Sequence, residues 1–131
     1  MNDGPEVVIG GILELLERDL EKHGILLERT KLELLSYREA RSHEVKKKKH
    51  YKSLIGGGKY NDVSLKNSMN EIAINIRHFS DKCELAEREI KHHQLIIDTL
   101  TGQVKDEKKA LAQLEQYYKE HPEERPDANS S

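Results

Sequence analysis

Residues 65–118 read LKNSMNEIAINIRHFSDKCELAEREIKHHQLIIDTLTGQVKDEKKALAQLEQYY. Within this stretch Leu65, Met69, Ile72, Ile76, Phe79, Cys83, Ala86, Ile90, His93, Ile97, Leu100, Val104, Glu107, Leu111, Leu114 and Tyr118 follow one another at steps that alternate four and three. Only His93 and Glu107 are strongly polar. An average spacing of 3.5 residues keeps one stripe of a long helix turned toward a partner helix. The stretch therefore predicts a single helix with a coiled-coil seam.

Working toward the N-terminus, Gly56-Gly57-Gly58 is the strongest helix breaker in the chain. Three glycines hold helical backbone poorly and permit positive φ. Before them a second seam runs through Ile9, Leu13, Leu16, Leu20, His23, Leu27, Thr30, Leu34 and Tyr37. Carried further, it meets Arg41, Glu44 and Lys48 before Tyr51 and Ile55, so it is clean in its first half and polar in its second. The expected organisation is a short leader over 1–6, a helix over about 7–54, a Gly-rich loop over about 55–62 and a helix over about 63–120. A polar, Pro-punctuated tail over 121–131 is expected to be disordered. Gly10 and Gly11 predict fraying before Ile12. Asp62 or Ser64 is the expected N-cap of the second helix.

A short connection between long helices implies antiparallel neighbours. If the turn centres near Gly58, facing residues have numbers that sum to about 116. His23 then faces His93, Leu34 faces Cys83 or Lys82, and Tyr37 faces Phe79. The one histidine in each apolar seam falls opposite the other, as expected of a polar layer that sets register. The fold class is all-α: an antiparallel two-helix coiled-coil hairpin. Ile12, Leu15, Ile25, Leu26, Leu32, Leu35, Leu85, Leu95 and Ile96 lie off the seams, more than a two-helix pair can bury. Most lie in the half remote from the glycines, so a homo-oligomeric bundle joined through that half is expected.

At 131 residues, 35% charged and 5% aromatic, the chain suits one domain of solvated helices rather than a thick core. Its formal net charge of −2 names no partner, but the distribution is uneven. Residues 38–78 hold ten Lys and Arg against four Asp and Glu, a net +6 that leaves −8 elsewhere. In a hairpin this is a cationic tip, which attracts anions. The candidate anion-binding set is Lys47, Lys48, Tyr51, Gly56, Gly57, Gly58, Lys59, Tyr60, Asn61 and Arg77. Glycine backbone N–H groups and the following helix N-terminus suit a phosphate or carboxylate. The tyrosines offer stacking faces. The loop is not a phosphate-binding Walker motif, because Ser53 stands where its first Gly belongs and Tyr60 follows Lys59.

Other chemistry finds little support. Carboxylates pair with cations along helix surfaces, as Glu84 with Arg88 and Glu87 with Lys91. Cys83 is the single cysteine, so no intrachain disulfide forms, and its apolar seam position suppresses the thiolate. No histidine pair has the spacing of a helical zinc site. The expectation is a non-enzymatic protein with no cofactor and no metal. Charge interrupts every apolar run before bilayer length, and no basic-then-apolar leader opens the chain, so a cytoplasmic location is expected without a membrane partner.

In architecture the chain resembles small helical adaptor and assembly proteins. In size and all-α character it is similar to the helical sponge proteins of phages, which sequester cyclic nucleotides in oligomer clefts. Two functions follow as expectations. The first is an oligomeric interaction protein whose cationic tip binds an acidic protein or nucleic acid. The alternative, implied by the second resemblance, is a module that holds an anionic small molecule such as a nucleotide at the Gly-rich tip.

Overall fold

The computed structural model describes residues 4–56 and 63–126. Helix α1 spans Pro5–Gly56 and helix α2 spans Val63–Glu120; a single 3-10 turn, Pro122–Glu124, follows. The two helices pack against each other as a hairpin. Among the described residues no helix is long and apolar enough to cross a membrane.

The chain divides into two compact units. The terminal unit is Met1–Leu26 with His93–Ser131, and the loop unit is Leu27–His92. In the loop unit Leu34, Cys83 and Ala86 form a buried cluster with Tyr37 and Ile90 packed against it. In the terminal unit His23 Nδ1 lies 3.1 Å from His93 Nδ1. Both placements agree with the antiparallel register expected from the sequence. All sixteen seam positions of α2 from Leu65 to Tyr118 are buried or half-buried. So are the nine of α1 from Ile9 to Tyr37. Among the described residues no large side chain is fully buried, because a pair of helices covers its seam from one side only.

The α1 seam departs from its expected course beyond Tyr37. Arg41 and Lys48 are exposed, while Ala40 is half-buried and Glu44 buried. A small Ala can enter the interface; an Arg there would lose its hydration without a partner. The stripe therefore steps three residues from Tyr37 instead of four, then four to Glu44.

Both ends of α1 extend past the expected 7–54. At its start, Val7 and Val8 donate their backbone N–H to the Gly4 carbonyl, at 3.0 and 3.3 Å. Pro5 fits the first turn because its missing N–H needs no intrahelical acceptor there. The helix continues through Gly10, Gly11 and Gly24 without a break. The expected caps differ in standing: Asp62 lies outside the described residues, and Ser64 falls within α2.

Residues 121–126 are not the disordered stretch that their composition predicts. His121 N–H donates to the Tyr117 carbonyl at 2.8 Å, and Arg125 N–H to the Pro122 carbonyl at 3.3 Å. The Arg125 guanidinium lies 5.8 Å from the Tyr118 ring centroid and 3.7 Å from Glu6 Oε1. A Cβ added to Gly4 would stand 2.9 Å from Pro126 Cγ, so the absence of a side chain at Gly4 permits this approach. Proline restricts the turn, and the aromatic ring gives it something to lie on. Residues 127–131 lie outside the described residues.

Candidate anion-binding face

The loop unit carries the cationic segment, and α1 sorts its charges by helical spacing. Arg38, Arg41, Ser42, Val45, Lys46 and Lys49 line a groove of about 510 Å³. Steps of three and four residues place them on one side of the helix. From Arg38 to Lys49 the axial rise is about 16 Å at 1.5 Å per residue, so the four cations stand about 4–8 Å apart along it.

Only Arg38 among these cations is in an ion pair, with Glu87 on α2 at 3.2 Å. Both side chains are about half exposed, so the pair contributes at most about 1 kcal/mol. Arg41, Lys46 and Lys49 make no ion pair among the described residues. Arg41 also borders a second concavity of about 370 Å³ with Ser80, Asp81, Cys83, Glu84 and Glu87. A cationic groove and a carboxylate-lined groove thus adjoin at Arg41.

The candidate residues read from the sequence fall differently. Lys47 does not line the groove: its Nζ lies 3.3 Å from Glu44 Oε1. That carboxylate is buried, and its Oε2 has no hydrogen-bond partner. Lys48 is exposed, Tyr51 is half-buried with its ring 5.9 Å from that of His50, and Gly56 is the last residue of α1. Arg77 is exposed on α2. Gly57, Gly58, Lys59, Tyr60 and Asn61 lie outside the described residues.

Arg38, Arg41, Lys46 and Lys49 were legible in principle. Projecting the basic segment onto a helix separates Lys46 and Lys49 from Lys47 and Lys48, whereas reading the four lysines as one run does not. Among the described residues no group of three or more His, Cys, Asp or Glu is placed to hold a metal ion. Comparison with protein-family models, curated proteins and solved structures finds no match.

Proposed function

We propose that the chain is a non-enzymatic interaction protein. It self-associates through the terminal unit and binds an acidic protein segment along the cationic face of α1. The observation that carries the reading is the row Arg38, Arg41, Lys46 and Lys49, three of whose four charges have no counter-ion among the described residues. Their spacings of three, five and three residues set the charges about 4–8 Å apart along the axis, within reach of carboxylates on one face of an acidic helix. The neighbouring Asp81, Glu84 and Glu87 favour a protein over a nucleic acid, since a continuous polyphosphate meets repulsion there. Self-association is supported by Val7, Val8, Ile12, Leu15, Ile25, Leu95 and Tyr117, all large, exposed and in the terminal unit. Exposed large apolar side chains in such number are a common feature of docking faces.

The test compares ligands on the full chain by fluorescence anisotropy. An acid-rich helical peptide, duplex DNA, single-stranded RNA and a cyclic dinucleotide serve as probes. Binding of the peptide is expected, and Arg41→Gln/Lys46→Gln/Lys49→Gln should weaken it at least tenfold while helical circular dichroism is unchanged. Changing Lys47 and Lys48 to Gln should matter less. Tightest binding to DNA or RNA, with a steep salt dependence, would assign the face to phosphates instead. Saturable binding of the dinucleotide alone would support the small-ligand alternative. No binding of any probe at low salt would end the anion reading.

A further inference from the structure

The two flanks of the terminal unit differ. One carries an ion pair, Lys108 Nζ to Glu17 Oε1 at 3.9 Å. On the other, the heptad positions beside the seam hold Ile12, Asp19 and Leu26 on α1 and Ile96, Gln103, Ala110 and Tyr117 on α2. In the loop unit the same α2 positions hold Ser68, Asn75, Lys82 and Glu89, so the apolar flank belongs to the terminal unit. Val8 and Leu15 lie one position farther round α1 and widen it; they are 53% and 61% exposed. A helix that adds such a flank to its seam has the pattern of one packed on two sides.

We propose that a second copy of the chain covers this flank, in a dimer whose two-fold axis crosses the hairpin at the level of Ile12 and Gln103. This rests on the self-association reading above and names its face and its axis. The His23–His93 contact sets residues whose numbers sum to about 116 level with each other. Ile12 and Gln103 are therefore within about 2 Å of one level along the helices. That level is the middle of the flank, whose ends are Leu26 and Tyr117. An axis there, perpendicular to the helices, lays terminal unit on terminal unit from end to end. Each helix then runs antiparallel to its own copy. Ile12 meets Ile12 of the second copy. Val8 falls within two residues of the level of Leu15, and Ile96 within one of Ala110, each contact occurring twice.

The polar residues of the flank suit the same axis. Gln103 meets Gln103 of the second copy, and a carboxamide both donates and accepts, so two of them pair across a two-fold. Asp19 falls at the level of Pro5 of the second copy, where α1 begins and its dipole is positive. A two-fold parallel to the helices would instead lay α1 on α2 at equal levels. Ile12 would then face Gln103, and Asp19 would face Ile96, so each layer would set a polar group on an apolar one. Size also agrees. From the level of Leu26 to that of Tyr117 the flank is about 40 Å long, and two helices are about 20 Å wide. The product is about 800 Å² per chain, the standard size of a specific interface.

The experiment joins sedimentation of the full chain across micromolar concentrations to oxidative cross-linking. Wild type is expected to dimerise. Leu15→Glu should be monomeric, with helical circular dichroism unchanged because the site is exposed. Ile12→Cys and Gln103→Cys, each in a Cys83→Ala background, should form a disulfide with their own copy, since both stand at the axis. Asp19→Cys in that background should not, because its two copies lie about 20 Å apart along the helices. Adding Leu15→Glu should abolish the cross-links. A wild-type dimer that Leu15→Glu leaves intact, or that neither Ile12→Cys nor Gln103→Cys links, would overturn the proposed face while self-association stands. Cross-linking through Asp19→Cys in place of Ile12→Cys would overturn the axis. A wild type that stays monomeric throughout would remove the self-association reading itself.

Discussion

His23 and His93 meet at 3.1 Å through Nδ1, so one ring donates and the other accepts. Removing the His93 ring takes this partner from the half-buried His23 Nδ1, at a cost of about 1–3 kcal/mol. His93→Leu alone should therefore lower stability in urea unfolding. The double substitution His23→Leu/His93→Leu should recover most of that loss, because two apolar groups need no partner. Gly24 offers a change of opposite sign. A Cβ there meets nothing within 4 Å, and the residue lies inside α1. Gly24→Ala should stabilise the fold by roughly 0.5–1 kcal/mol, read as a higher urea midpoint with an unchanged slope. Near the end of α2, the Tyr117 hydroxyl donates to the Glu124 carboxylate, which raises its pKa above the ordinary tyrosine value. A raised tyrosine pKa contributes stability below the unfolded-state value and loses it as pH rises through the folded-state value. Glu124→Gln should lower the Tyr117 midpoint in an NMR titration.

At the scale of the element, the helices differ in how well their seams are made. The α2 seam is continuous, whereas α1 buries Glu44 with one oxygen lacking a hydrogen-bond partner. Lys47, at 3.3 Å, is itself about half exposed and compensates little of the lost hydration. Glu44→Leu should stabilise the protein by about 1–3 kcal/mol in chemical denaturation. Should it destabilise instead, the carboxylate has a solvent or lysine contact stronger than its geometry suggests. The element also explains the cationic face. Four lysines in a row divide between sides of α1, and only those in phase with Arg38 line the groove with it.

At the scale of the molecule, burial among the described residues is sparse: Leu27, Leu34, Ile72, Cys83, Ala86 and Tyr118 are the buried apolar residues there, joined by Thr30 and Glu44. Such a chain gains much by covering more apolar surface, and association stabilises the folded form by mass action. Its thermal midpoint should therefore rise by several degrees across a hundredfold increase in protein concentration. In the Leu15→Glu variant the midpoint should be independent of concentration.

The sequence by itself determined the hairpin and its register. Steps of four and three are a local property of helical backbone, so they can be read without knowing what the seam faces. The glycine triplet marked the connection, and His23 facing His93 followed from counting outward from it. Tertiary structure decided which residue enters the seam when the repeat offers a poor one, and Ala40 displaced Arg41 because desolvating a guanidinium costs more than a step in the stripe. It also folded residues 121–126 back to Gly4 and Glu6, a contact between parts of the sequence far too distant for local pattern to reveal. The cationic groove lay between these limits: its residues share a helix face, but which charges remain unpaired depended on where α2 placed Glu87.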